Sequence, residues 1–118
     1  MALSTLILKT GNVPVILPGS PIYAPSSSAP KKAAIVKAMR FTNTGGGPAK
    51  LRAWFKKGGG PFALGFGARR ILYDECIPAG CIGIEDEEVT LNSGDGLYFQ
   101  SDVGLVQFVL FGVEQDIP

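Results

Sequence analysis

Short runs of alternating apolar and polar residues, separated by Gly, Pro and Asn, cover most of this chain. Alternation with a period of two predicts strands with one buried face, and the Gly- and Pro-rich breaks predict turns. The clearest run is 49-AKLRAWFKK-57, which lies between two copies of GGGP. Its Leu51, Ala53 and Phe55 are predicted to face the core. The opposite face then carries Lys50, Arg52, Trp54 and Lys56.

The segment from residue 33 to 43, AAIVKAMRFTN, is also predicted to be a strand. A helix is the alternative, because Ala, Lys and Met are good helix formers. The strand is preferred because the segment ends in the turn-forming sequence TNTGGGP. Strict alternation places Ile35, Met39 and Phe41 on one face and Val36 on the other.

Similar patterns extend over the rest of the chain. Further strands are predicted at residues 3–9, 13–17, 22–24, 71–75, 82–86, 89–91, 97–102 and 104–115. The last of these is apolar on both faces, which is typical of a central strand or of one that faces a partner subunit. Short strands at spacings of about 8 to 12 residues predict an all-β fold, an antiparallel β-sandwich or jelly roll of about eight strands.

Length and composition fit one such domain over residues 1–118, with residues 1–24 as an extended N-terminal arm. The longest apolar runs fall short of the roughly 20 residues that span a bilayer, so we expect no membrane segment. No basic segment precedes the apolar start, so we expect no signal peptide. We expect the protein to be made and used, or assembled, in the cytosol.

Charge is divided along the chain. All eleven Lys and Arg lie between Lys9 and Arg70, and all ten Asp and Glu lie between Asp74 and Asp116. We expect the halves to pair across strands, with the basic strand at 49–57 beside acidic C-terminal segments, or to form oppositely charged surfaces that attract partners. Contacts between such surfaces are predicted to weaken as salt rises to about 0.5 M.

The residue types give little support for an enzyme that acts on a small substrate. The chain contains no His, which removes the commonest general base and metal ligand, and we predict no catalytic residue, cofactor or metal. A glycosidase-type pair drawn from Asp74 or Glu75 with Glu85 or Asp86 is the enzymatic alternative. Calcium at Asn92–Asp95 is less favoured than a turn whose Asn and Asp cap the backbone.

Two cysteines, Cys76 and Cys81, flank the turn sequence 77-IPAG-80. Four intervening residues allow a local disulfide, and two reduced thiols are the alternative that a cytosolic origin favours.

The basic strand and an acidic run are the strongest candidates for partner contacts. One hypothesis is nucleic-acid binding, because basic side chains could contact phosphates and Trp54 could stack on a base. A near-neutral total charge and a single such aromatic argue against it. A protein partner is preferred, and the alternative is a Trp that lies flat on its own sheet. The predicted contact residues are Lys50, Arg52, Trp54, Lys56, Glu85, Asp86, Glu87 and Glu88.

From about residue 20 to the end the chain contains the succession 22-IYAPSSSAPKKAAIVKAMRFTNTGGGPAKLRAWFK-56, 77-IPAG-80, 89-VTLNSGDGLYFQSD-102 and 112-GVEQ-115. These strands and turns resemble small all-β virion proteins of tailed bacteriophages. The basic character of the strand that carries Trp54 and the acidic run 85-EDEE-88 are not features of that pattern, and we expect them to contact this protein's own partners.

The resemblance implies a non-enzymatic capsid decoration or cement protein that binds the major capsid protein as a homo-oligomer, with a trimer favoured. A tail or baseplate component is one alternative. A carbohydrate- or ligand-binding β-sandwich, with Trp54 and Tyr98 as stacking residues, is another.

Overall fold

The computed structural model describes the backbone of residues 6–16, 21–57 and 68–117, and their side chains except at 68–70, 73 and 74. This part of the chain forms strands and no helix, so it offers no helical segment that crosses a bilayer. The predicted all-β class with antiparallel sheets is confirmed. The strands are β1 Leu6–Asn12, β2 Lys32–Asn43, β3 Ala49–Lys56, β4 Ala68–Ile77, β5 Ile82–Glu85, β6 Val89–Leu91, β7 Gly96–Ser101 and β8 Val106–Asp116.

The strands form two sheets. Sheet A has the order β1-β8-β2-β5, and β6 pairs with β2 on the same edge as β5. Sheet B has the order β4-β3-β7. The turn after Ile77 links β4 to β5 and therefore passes from sheet B to sheet A, with Gly80 at φ 71°. Glycine suits this position because L side chains rarely adopt a positive φ.

A shared core joins the sheets. Phe99 of sheet B lies between two phenylalanines of sheet A, with ring centroids 5.1 Å from Phe41 and 5.2 Å from Phe108, both edge to face. Such pairs contribute about 0.5–1.5 kcal/mol beyond their area. On β3, Leu51 and Ala53 are fully buried in this core, as the alternation predicted.

On β2 the predicted faces are correct at one end and wrong at the other. Met39 and Phe41 are buried as expected, but Val36 is also buried and Ile35 faces outward. The cause is a β-bulge at Lys37: Val36 pairs with Gly112 of β8, and the next paired residue, Ala38, faces Phe111. An extra residue in one strand reverses the alternation, and strict period-two reading misses it.

The N-terminal segment also departs from expectation. The sequence predicts a break between strands at 3–9 and 13–17, but β1 runs through Gly11 and Asn12. A Cβ on Gly11 would lie 3.2 Å from the ring of Phe108, a close approach that glycine avoids. Residues 13–16 form no strand. The chain instead crosses to sheet B, where the N–H of Ser101 donates to Pro14 O (3.0 Å).

Tyr23 fastens this segment to both sheets. The N–H of Leu97 on β7 donates to the carbonyl of Tyr23 (2.9 Å), and the Tyr23 hydroxyl donates to the carboxylate of Glu114 on β8. Glu114 in turn lies 3.7 Å from the ammonium of Lys32. Burial, followed by the hydrogen bond and charge of Glu114, raises the pKa of Tyr23 above its ordinary value. The described part of residues 1–24 is thus attached to the domain.

Replacing Tyr23 with Phe should lower the free energy of unfolding by about 1–2 kcal/mol at pH 7, because it removes a hydrogen bond to a charged group. Since the folded-state pKa is raised, the stability that this hydroxyl contributes is present below pH 10 and is lost above it. Urea unfolding of both proteins from pH 7 to 11 should therefore show a difference that narrows above about pH 10. A constant difference across this range would contradict the assignment.

Gly112→Ala should destabilise the protein by about 3 kcal/mol, the upper range for overpacking. A Cβ at this position would lie 2.1 Å from the backbone oxygen of Ile35, next to the bulge. Gly46→Ala is the matched control, because its Cβ would meet nothing within 4 Å. Urea titration of the two variants should separate them clearly, and equal midpoints would show that the bulge does not restrict this site.

Candidate protein-binding surface

The side of sheet A that faces away from sheet B carries an unusual share of apolar side chains. Its most exposed members lie on the two edge strands: Ile7 is 62% exposed, Ile82 56% and Ile84 71%. Apolar side chains of β2 and β8 between these edges are half-buried, whereas Arg40 and Gln107 on the same side are exposed. We call this surface the outer apolar face, and it consists of Ile7, Ile35, Ala38, Ile82, Ile84, Val109, Phe111 and Val113.

On β5 the sequence Ile-Gly-Ile-Glu points its isoleucines outward for a steric reason. Gly83 pairs with the buried Phe41 and so lies on the inner side. A Cβ on Gly83 would lie 3.1 Å from Cδ1 of Ile77, so a larger side chain would require Ile77 to shift. Period two then places Ile82 and Ile84 on the solvent side. An apolar strand was predicted here, but its exposed face was missed.

The outer apolar face is large enough to be an interaction site. Strands spaced by about 4.8 Å, with about seven residues of β8 at about 3.4 Å each, give this side of sheet A roughly 450 Å². That area includes the outer apolar face and also the polar residues Thr10, Arg40, Thr42 and Gln107, which share this side of the sheet. Exposed apolar patches above a few hundred Å² commonly mark contact surfaces. The guanidinium of Arg40 lies 5.6 Å from the ring centroid of Phe111. The face is not flat, because a depression of about 290 Å³ lies beside Ile35, Thr90 and Val113.

The predicted basic residues lie on the other sheet. Lys50, Arg52, Trp54 and Lys56 share the side of sheet B that faces away from the core. Trp54 is only 6% exposed and its neighbour on β7, Tyr98, is fully buried. Burial raises the pKa of Tyr98. This placement matches the alternative in which the tryptophan packs on its own sheet, and its role as a partner contact stays a prediction.

The predicted acidic residues lie at the edge of sheet A: Glu85 is the last residue of β5, and residues 86–88 connect β5 to β6. Glu85 is half-buried, and its carboxylate accepts the N–H of Glu87 (3.0 Å). Glu88 forms an ion pair with Lys37 (3.1 Å), and Asp86 is exposed. The acidic run and the basic strand therefore belong to different sheets.

Ion pairs join the basic and acidic halves of the chain, and Lys32 and Lys37 of β2 take part in them. Lys32 lies 3.7 Å from both Glu114 and Asp116, and Lys37 pairs with Glu88. The basic strand β3 makes a different contact with an acidic residue: the backbone N–H of Lys50 donates to Asp102 (2.7 Å). Pairing across the halves is thus internal in part, and it includes a contact between β3 and the acidic half of the chain.

Two carboxylates of the enzymatic alternative line the same cavity. Glu75 and Glu85 line a cavity of about 140 Å³ between β4 and β5, whose lining also includes Phe41, Leu51 and Cys76. Asp86 is not among the lining residues. The proposed calcium residues instead form a turn, in which Asp95 accepts the N–H of Asn92 (3.0 Å).

Comparison with known proteins adds no assignment. No family model, curated protein or solved structure matches this chain. Function must therefore be argued from the surfaces described above.

Cys76 and Cys81 are free and exposed. We expect a thiol reagent to titrate two groups per chain in the native protein, and one group in Cys81→Ser. A native count of zero that rises only after reduction would instead indicate a disulfide.

Proposed function

We propose that this chain is a non-enzymatic virion structural protein, a β-sandwich that decorates a bacteriophage capsid by binding the major capsid protein. The observation that carries the proposal is the outer apolar face of sheet A. A stable domain gains nothing by leaving Ile7, Ile82 and Ile84 in water, because burial of a side chain of this size contributes about 1.5–3 kcal/mol. A protein surface that covers the face supplies that burial.

Phe111 is the expected anchor of the contact. It lies on the central strand β8, flanked in register by Ala38 and Ile7, with Arg40 over its ring. Aromatic and Arg side chains surrounded by apolar neighbours dominate the energetics of many interfaces. Binding to an assembled lattice in preference to free subunits then stabilises the lattice by mass action.

The virion role is supported by the resemblance of the turn and strand motifs. The motif 77-IPAG-80 includes a turn at residues 79 and 80, and 89-VTLNSGDGLYFQSD-102 contains a second turn with Gly94 at φ 86°. The two sheets around one core support the β-sandwich form. As a capsid protein the chain would act in the virion, and a homotrimer is the proposed assembly.

A carbohydrate-binding role has less support. Its proposed stacking residues, Trp54 and Tyr98, are 6% and 0% exposed, so neither ring offers its face to a sugar. A tail or baseplate role would use the same kind of protein contact. Binding to tails, in place of binding to capsids, would distinguish that role from capsid decoration.

The test is co-sedimentation of the protein with empty capsids assembled from the major capsid protein of the phage that encodes it. Wild type should bind, and Phe111→Lys should weaken binding at least about 30-fold, the effect of losing an interface hot spot. Ile16→Ser is the matched control, because Ile16 is 74% exposed but lies outside the outer apolar face.

Ile16→Ser should bind like wild type, and thermal unfolding should show that both variants are folded. Wild-type protein that ignores capsids would refute the decoration role, and binding to purified tails instead would favour the alternative. Unchanged binding by Phe111→Lys would place the contact elsewhere.

A further inference from the structure

Sheet A ends in two edges that have no strand partner within the described part of the chain. β1 pairs only with β8, and β5 and β6 pair only with β2. Unpaired strand edges present N–H and C=O groups that readily pair with another strand. Both edges also carry exposed aliphatic side chains, Ile7 on β1 and Ile84 on β5. Each edge therefore has the backbone and the apolar surface of a contact site.

The two edges carry opposite charges at matching positions. One row across sheet A consists of Glu85, Met39, Leu110 and Lys9, aligned through the strand registers. Met39 and Leu110 are fully buried, so all four residues belong to the inner side of the sheet. The row begins with a carboxylate and ends with an ammonium group. Lys9 is exposed and forms no ion pair with a described residue.

Strand direction allows the edges of successive copies to meet. β1 and β2 are both antiparallel to β8 and hence run in the same direction, whereas β5 is antiparallel to β2. A second copy in the same orientation would thus bring its β1 antiparallel to β5 of the first. Antiparallel strands form the more stable ladder. If the rows continue, Lys9 faces Glu85, Thr10 faces Ile84, and Gly11 faces Gly83.

We propose that the occupant of each edge is a second copy of this chain, joined head to tail so that sheet A continues from one copy to the next. The contact consists of the β1–β5 backbone ladder and the Lys9–Glu85 ion pair. Head-to-tail contacts close into a ring when the rotation between copies divides a full turn. The inference deepens the proposed function and rests on it, because linked copies present their outer apolar faces side by side to the capsid.

The test uses two charge reversals that affect opposite edges, Lys9→Glu and Glu85→Lys. Sedimentation equilibrium at about 0.1 M salt should show that wild type self-associates and that each variant alone associates at least about tenfold more weakly, because like charges then face each other. An equimolar mixture of the two variants should associate clearly more strongly than either variant alone. In that mixture every contact between the two different variants joins opposite charges, which can apply to all contacts of an even-numbered assembly and to two of the three contacts of a trimer.

Several controls accompany the mixture. Lys31→Glu makes the same charge change at an exposed residue away from both edges, and it should associate like wild type. Because Glu85 also accepts the N–H of Glu87, recovery in the mixture separates loss of charge from local unfolding in Glu85→Lys. Raising the salt to about 0.5 M should weaken wild-type association, since the screening length then falls to a few ångströms.

The edge contact would be refuted by wild type that stays monomeric at millimolar concentration, by a mixture that does not recover, or by Lys31→Glu that weakens association equally. Failure of the proposed function gives a different result. Self-association without capsid binding retains the edge contact and refutes decoration. Capsid binding by a monomer retains decoration and refutes the edge contact.

Discussion

Eleven residues of β2 have partners on β8, from Lys32 opposite Asp116 to Asn43 opposite Val106, and this ladder supports the other strands of sheet A. β1 attaches to the free side of β8, and β5 and β6 attach to the free side of β2. The two central strands also send Phe41 and Phe108 into the core, where both rings contact Phe99 of sheet B. Loss of this ladder would therefore remove both the sheet and half of the core.

The bulge at Lys37 determines what the ladder presents to solvent. Because it adds one residue to β2 alone, Val36 and Met39 both point inward, and Ile35, Ala38 and Arg40 point outward. Gly112 permits the close approach of the Ile35 backbone at this point. The bulge thus places Ile35 on the outer apolar face, and the rest of the face comes from a β8 that is apolar on both sides and from isoleucines of β1 and β5.

The structure explains part of the division of charge along the chain. β2 and β8 come from opposite halves, so Lys32 meets Glu114 and Asp116 within one domain. Lys37 neutralises part of the acidic run through Glu88. Lys9 and Glu85 remain at the two ends of one row of sheet A, where a single chain cannot bring them together. A second copy of the chain could bring these two opposite charges together.

The sequence alone determined the all-β class, the position of most strands and the core side of β3, because alternation and Gly–Pro turns are local signals. Only the tertiary structure decided the bulge at Lys37, the burial of Trp54 and the exposure of Ile84. Each of these depends on what a neighbouring strand places opposite the residue. Pairing partners distant in the chain leave no mark in local periodicity, so the candidate surface emerged only when the strands were assembled.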